Sequence, residues 1–308
     1  MSLYMGFGLI IESALELPEL LPLESGTPDV QVLFCSVDIS EVYPPGAEAP
    51  PKGAWWQAKL SQTKLLFGCH AGIFEITSGS RINIDVAPDA APETIRMFLL
   101  GSALGGAIQI QRGRIPIHGG SIVLHDQAMI ITGTQGAGKS TMTSALVKNG
   151  FKYLTDDVSS VELFGTSFFV HAAYPQRKLV RDACTVLGLN TENLPVIDTT
   201  RDKFAIRDPE NWHGTAAPLR MLIELVPADA GEKLRSEPVN GHAKLSLLMR
   251  SLYRDRMHFN NQQLPPEEFK KILNIAAALD ALRIYIPRRL DDILLLAENL
   301  AEELEFIQ

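Results

Sequence analysis

The chain has 308 residues, enough for one large domain or two of ordinary size. Its 46% hydrophobic and 21% charged content is the balance of a globular protein with a real core. With 28 basic against 36 acidic residues the net charge is −8, which argues against nonspecific nucleic-acid binding, and no basic stripe overrides it.

Leu3 to Ile11 and Val30 to Val37 read as strands, separated by a loop rich in Pro, Glu and Ser. Val42 to Gly53 holds several prolines and glycines and reads as an exposed connection. Trp55, Trp56, Leu60, Leu65, Phe67, Ile73 and Ile76 suggest two or three further strands. Pro92-Glu93 opens a helix expected to reach about Ile110, since proline is favoured in a first turn. These elements make a small α+β domain over 1–112 with no catalytic motif. The Trp55-Trp56 pair fits packing better than a ligand platform.

The longest apolar run, Met97 to Ile110, is short for a membrane span and carries three glycines, Ser102 and Gln109. It reads as a packed helix, and no membrane partner is expected. No basic region precedes an apolar stretch near the N-terminus, so no signal peptide is expected. Cys35, Cys69 and Cys184 are far apart and form no C-x-x-C pair. They fit small core residues in a reducing compartment, without disulfides or zinc, and the expected location is cytoplasmic.

A second domain, 113–308, carries the chemistry. Ser121 to Leu124, His125-Asp126-Gln127 and Ala128 to Thr132 read as strand, turn and strand. Gly133-Thr134-Gln135-Gly136-Ala137-Gly138-Lys139-Ser140 then fits G-x-x-x-x-G-K-[ST], and Thr141 follows it into a helix over 141–148. The glycines let successive N–H groups turn inward on a phosphate. Lys139 brings a charge to the outer phosphates, and the Ser140 hydroxyl suits Mg2+. The following helix points its positive end at the anion. The strand entering this loop has an antiparallel neighbour, so a mixed sheet is expected rather than a purely parallel one.

Phe151 to Thr155 reads as a short strand ending at Asp156-Asp157, and Val158 to Val170 as a hairpin turning at Gly165. Leu219 to Val226 is a strong apolar strand. Glu267 to Leu282 has helical spacing, Ile284 to Ile286 is a strand, and Leu290 to Phe306 is an amphipathic closing helix. Adjacent carboxylates on an extended backbone point to different sides. Asp156 and Asp157 can therefore divide the two tasks of phosphoryl transfer, holding the metal and handling the attacking hydroxyl. His118, in Pro116-Ile117-His118-Gly119-Gly120, reads either as a turn residue bonded to backbone or as a partner of one aspartate.

Together, Ile117-His118-Gly119-Gly120, the Gly133 to Thr141 loop and Asp156-Asp157 resemble the catalytic domain of HPr kinase/phosphorylase. Within that group the chain more closely resembles the kinases that modify lasso-peptide precursors. Tyr4-Met5-Gly6-Phe7-Gly8-Leu9, Gln111-Arg112-Gly113, Tyr174-Pro175 with Arg177 and Leu179, Asp202-Lys203 and Ile284-Tyr285-Ile286-Pro287-Arg288 extend that resemblance over most of the chain. It implies an α/β fold: a P-loop nucleotide-binding domain of the phosphoenolpyruvate-carboxykinase/HPr-kinase type with a mixed sheet. It also implies ATP and Mg2+ as cofactors, with Lys139 and Ser140 binding them. Asp156 would act on the attacking serine with help from His118, and Asp157 would help hold the metal.

True HPr kinases carry a Glu-Ile-Arg-Gly segment after the aspartate pair. Here the region reads Arg177-Lys178-Leu179-Val180-Arg181-Asp182, with no matching glutamate. That places HPr in doubt as the acceptor. Arg177, Lys178 and Arg181 suit either a peptide carboxylate or phosphate or a solvated basic edge, with Asp182 and Lys203 as further substrate candidates. The leading expectation is an ATP-dependent serine kinase acting on a peptide, the C-terminal serine of a lasso-peptide precursor. An HPr-type protein kinase, a sugar kinase and a nucleotide-binding regulatory module are the alternatives. The group contains hexamers, so a homo-oligomer is among the arrangements implied.

Overall fold

The computed structural model describes residues 1–48, 53–59, 61–198, 202–254 and 264–306. Leu60 and residues 49–52 of the expected connection lie outside these. The chain forms two compact units, one of Met1–Pro116 with Tyr253–Lys271, the other of Ile117–Leu252 with Ile272–Gln308. Among the described residues no helix is long and apolar enough to cross a membrane.

In the first unit the described residues form an eight-stranded sheet. Its order is Leu21–Leu23, Ser2–Gly6, Leu9–Ser13, Val30–Phe34, Arg81–Val86, Gly72–Thr77, Lys64–Cys69 and Trp56–Lys59. The run expected as one strand from Leu3 to Ile11 is a hairpin. Gly6 pairs with Leu9 across a two-residue turn in which Phe7 (φ 56°) and Gly8 (φ 67°) are both left-handed. Left-handed turns of this kind match the twist of the strands they join. The apolar run hides the turn because the Phe7 side chain is itself buried.

The helix expected from Pro92 is interrupted. Pro92–Phe98 and Leu104–Arg112 are α-helical, and Leu99–Ala103 between them is a π-turn. Gly113 ends it in the left-handed conformation, its N–H donating to Gln109 O. Phe67 and Phe74 stack in the core with centroids 4.7 Å apart, and Trp55 stacks on Phe67 at 5.2 Å.

The second unit is built on a mixed sheet. Its centre is the twelve-residue strand Ala217–Ala228, whose first residues pair antiparallel with Ser167–His171. On one side it pairs in parallel with the loop strand Gln127–Gly133, and on the other in parallel with Asp280–Pro287. The loop strand pairs antiparallel with Gly120–Leu124, which pairs antiparallel with Lys152–Thr155. The expected antiparallel neighbour is therefore present, reached through a turn with His125 and Asp126 both left-handed. This order brings His118-Gly119, Gly133, Asp156-Asp157, Pro227 and Pro287 to one end of the sheet, because each follows or precedes a strand at that end. In open α/β sheets ligands bind outside the carboxyl ends of the parallel strands, and this is that end.

The loop helix, Lys139–Lys148, buries Met142, Ala145 and Leu146 against Ile131, Ile223 and Ile284 of the sheet and Leu296, Ala297 and Leu300 of the closing helix Ile293–Phe306. The helix expected over Glu267 to Leu282 ends at Ala278. Asp280, Ala281 and Leu282 belong instead to the next strand, drawn into the sheet by parallel pairing with Met221, Leu222 and Ile223. A separate three-stranded sheet, Gln176–Val180, Lys203–Arg207 and Val196–Asp198, carries none of the periodicity signals that mark the longer elements.

Candidate active site

The loop leaves its strand at Gly133 (φ 148°), where a Cβ would stand 2.6 Å from Leu225 O on the neighbouring strand. Gly136 (φ 80°) and Gly138 (φ 89°) have open space around them, so backbone conformation alone demands glycine there. No side chain caps the helix that begins at Lys139. Its first-turn N–H groups are left for a ligand. Lys139 lies back over its own loop, its Nζ donating to Gly133 O at 2.9 Å and to Thr134 O at 3.2 Å. Burial lowers its pKa, while the charges of Asp157 and Asp156 oppose that shift.

His118 ends a strand and is fixed by backbone on two sides. Its N–H donates to Ser251 O at 2.7 Å, and its own carbonyl lies 3.0 Å from the Thr132 hydroxyl, which also contacts Ser251 Oγ. Two glycines then let three segments converge. A Cβ on Gly119 would stand 2.5 Å from Ile131 O, and one on Gly120 2.9 Å from Thr143 Oγ1 and 3.1 Å from Asp156 O. Gly119 N–H donates to Asp157 O at 3.0 Å, tying the histidine segment to the acidic one.

The two aspartates diverge, as adjacent side chains on extended backbone must. Asp156 is 6% exposed; its Oδ2 accepts the Lys178 N–H at 2.9 Å, and its Oδ1 is buried without a hydrogen bond. Burial raises its pKa and the Asp157 charge adds to the rise; Lys178 and the Ser140 hydroxyl oppose it. Asp157 keeps 36% of its side chain accessible, with His118 Nδ1 at 3.4 Å and Lys178 Nζ at 3.8 Å. Burial alone would raise Asp157, but the charges of Lys178, His118, Lys203 and Lys139 outweigh it and hold the carboxyl below its ordinary value. The histidine expected beside Asp156 thus sits beside Asp157.

The basic cluster separates by strand parity. Lys178 pairs with Ala205 and Val180 with Lys203, so Lys178 and Lys203 share a face of the small sheet, and that face looks toward Asp157. Arg177 is on the other face, 7% exposed, with Nη2 2.5 Å from Asp208 Oδ2 and its guanidinium over the Tyr153 ring. Turned inward and paired, it does not join a basic edge with Lys178. Arg181 is exposed and forms a two-pronged pair with Asp202 while lying over Phe204. Asp182 is exposed in the first turn of the helix Arg181–Val186. Lys203 is half-buried. Sequence reading missed Thr132 and Ser251, which hold His118 through hydroxyl and backbone contacts that no motif records.

Ser140 and the two aspartates offer oxygen ligands, and Asp156 presents a buried oxygen with no hydrogen-bond partner. That set fits Mg2+, which takes one or two carboxylates and completes its shell with water and phosphate oxygens. Among the described residues no three His, Cys, Asp or Glu side chains gather into a metal cluster, which such a site does not require.

No family model matches the chain. No curated protein is similar to it at a significant level. Among solved structures it is similar to the HPr(Ser) kinase/phosphatase from Coxiella burnetii, at 14% identity, over 62% of this chain and 96% of that one, with a TM-score of 0.33. The likeness is a loose one.

Proposed function

We propose that the protein is an ATP- and Mg2+-dependent kinase that phosphorylates a serine hydroxyl of a peptide, with the terminal serine of a lasso-peptide precursor as the acceptor. One observation carries this reading. The glycine loop with Lys139 and Ser140 meets Asp156, Asp157 and His118 at a single end of the sheet. A module that only bound nucleotide would need the loop but not the second carboxylate and its histidine.

The division of labour that fits this geometry reverses the one the resemblance implies. Asp156, buried beside Ser140, suits the metal side. Asp157, accessible and paired with His118, suits the acceptor. Lys139 would exchange the loop carbonyls for phosphate oxygens as the nucleotide enters. Bound Mg2+ would neutralise charge on the outer phosphates. The serine Oγ would bond to the γ-phosphorus as the bond from that phosphorus to the β–γ bridging oxygen breaks, with the hydroxyl proton passing to an Asp157 carboxylate oxygen. His118 would fix the orientation of that carboxylate.

Lys203 makes no ion pair among the described residues and shares the face of Lys178 that looks toward Asp157. An acceptor bearing a carboxylate next to its hydroxyl, as a C-terminal serine does, suits that charge. The test is MgATP with two peptides, one ending in serine with a free carboxylate and one amidated there. Phosphoryl transfer to the first and little to the second is expected. Equal transfer to both removes the terminal-carboxylate claim, and transfer only to a sugar removes the peptide.

A further inference from the structure

A groove of about 220 Å3 opens beside the glycine loop, between Ala137-Gly138 and the ends of the parallel strands Ala217–Ala228 and Asp280–Pro287. Its walls are Pro227, Ile286, Pro287 and Ile293, with Arg288 and Arg289 at the rim and the Thr141 hydroxyl at the loop end. We infer that this groove seats the nucleobase of the phosphoryl donor by stacking, without reading its edge, so that purine triphosphates bind with little discrimination. This rests on the kinase reading above and names the donor class that the site accepts.

The apolar walls suit the flat face of a base, and they lie where the nucleoside must go if the phosphates occupy the loop. The means of reading a base edge are scarce. Pro227 and Pro287 have no N–H to offer. Arg288 N–H is committed to Ala228 O at 3.2 Å, and Arg289 N–H to Pro287 O at 2.8 Å. No amide side chain lines the groove. Arg289 is paired with Asp292 at 3.1 Å. Arg288 is exposed and makes no ion pair among the described residues, leaving its guanidinium for the face of a base, which any base presents. A site that hydrogen-bonds a ligand group rejects analogues lacking it by about four orders of magnitude; a stacking site does not.

Calorimetric titration of the full chain with MgATP, MgGTP and magnesium tripolyphosphate decides this. ATP and GTP should bind within about threefold of each other, and tripolyphosphate at least about tenfold more weakly. Arg288→Ala should weaken both nucleotides about threefold and leave tripolyphosphate unchanged. Tripolyphosphate binding as tightly as ATP, with that binding lost in Lys139→Met, would leave the kinase site standing and overturn the base groove. A preference for one purine of about tenfold or more would overturn recognition by stacking. Failure of all three ligands to bind would remove the kinase reading and this inference together.

Discussion

His118 faces Asp157, Nδ1 to Oδ1 at 3.4 Å, while Asp156 one residue earlier turns into the protein toward Ser140 and Lys178. The pair divides because extended backbone sends neighbouring side chains to opposite sides. The same divergence sets opposite electrostatic environments, one dominated by burial and the other by cations.

Opposite environments give opposite stability effects. Asp156 has a raised pKa when folded, so its ionised form costs stability once the pH rises above the unfolded value of 3.8. Asp156→Asn should therefore raise Tm at about pH 7 in chelator, with the gain vanishing below pH 3.8. Asp157 has a lowered pKa, so its ionised form supports the fold above 3.8, and this support is lost as the pH falls through the folded value. Asp157→Asn should lower Tm at about pH 7. Scanning calorimetry of both variants reads the signs directly; shifts in the same direction would contradict the two environments described.

Gly119 is present for contact, not for conformation. Gly119→Ala would place a Cβ 2.5 Å from Ile131 O, against backbone that has no room to yield. A cost of about 1–3 kcal/mol is expected, as for other overpacked sites. His118 and Asp157 would be displaced with it. Urea unfolding together with transfer assays checks both effects.

The basic residues should separate in the same way that strand parity separates them. Arg177→Ala removes the cation beside the largely buried Asp208, which keeps its hydrogen bonds from Asn211, and should destabilise by about 3 kcal/mol. Arg181→Ala breaks an exposed, solvent-screened pair and should leave stability almost unchanged. Lys203→Met should leave stability nearly unchanged and raise KM for the acceptor. Denaturant melts and steady-state kinetics on the three variants distinguish a packing role from a substrate role.

Much of the second unit was legible because its signals are local. The loop motif, its apolar strand and the antiparallel hairpin ahead of it each lie within a few residues, and glycine spacing marks where a phosphate fits. The partner of His118 was not legible, since its position depends on two glycines letting separate strands converge. Nor was the fate of Arg177, because the three-stranded sheet that turns it inward is made of short strands with no strong alternation. The hairpin at Phe7-Gly8 was hidden inside an apolar run whose turn residue is itself buried. Arg254, Glu268 and Lys271 join the first unit through contacts distant in sequence, with Trp55, Gln109 and Gly113, which no local pattern records.

The most direct test of the kinase reading is single-turnover transfer from γ-labelled MgATP to a peptide ending in serine, comparing the natural chain with Lys139→Met and Asp157→Asn. The natural chain should label the terminal serine, and Lys139→Met should lose about 10²–10³ in rate. Asp157→Asn should still bind nucleotide but transfer nothing measurable. Labelling that survives in both variants, or a natural chain that binds no triphosphate and labels no acceptor, would contradict the proposal.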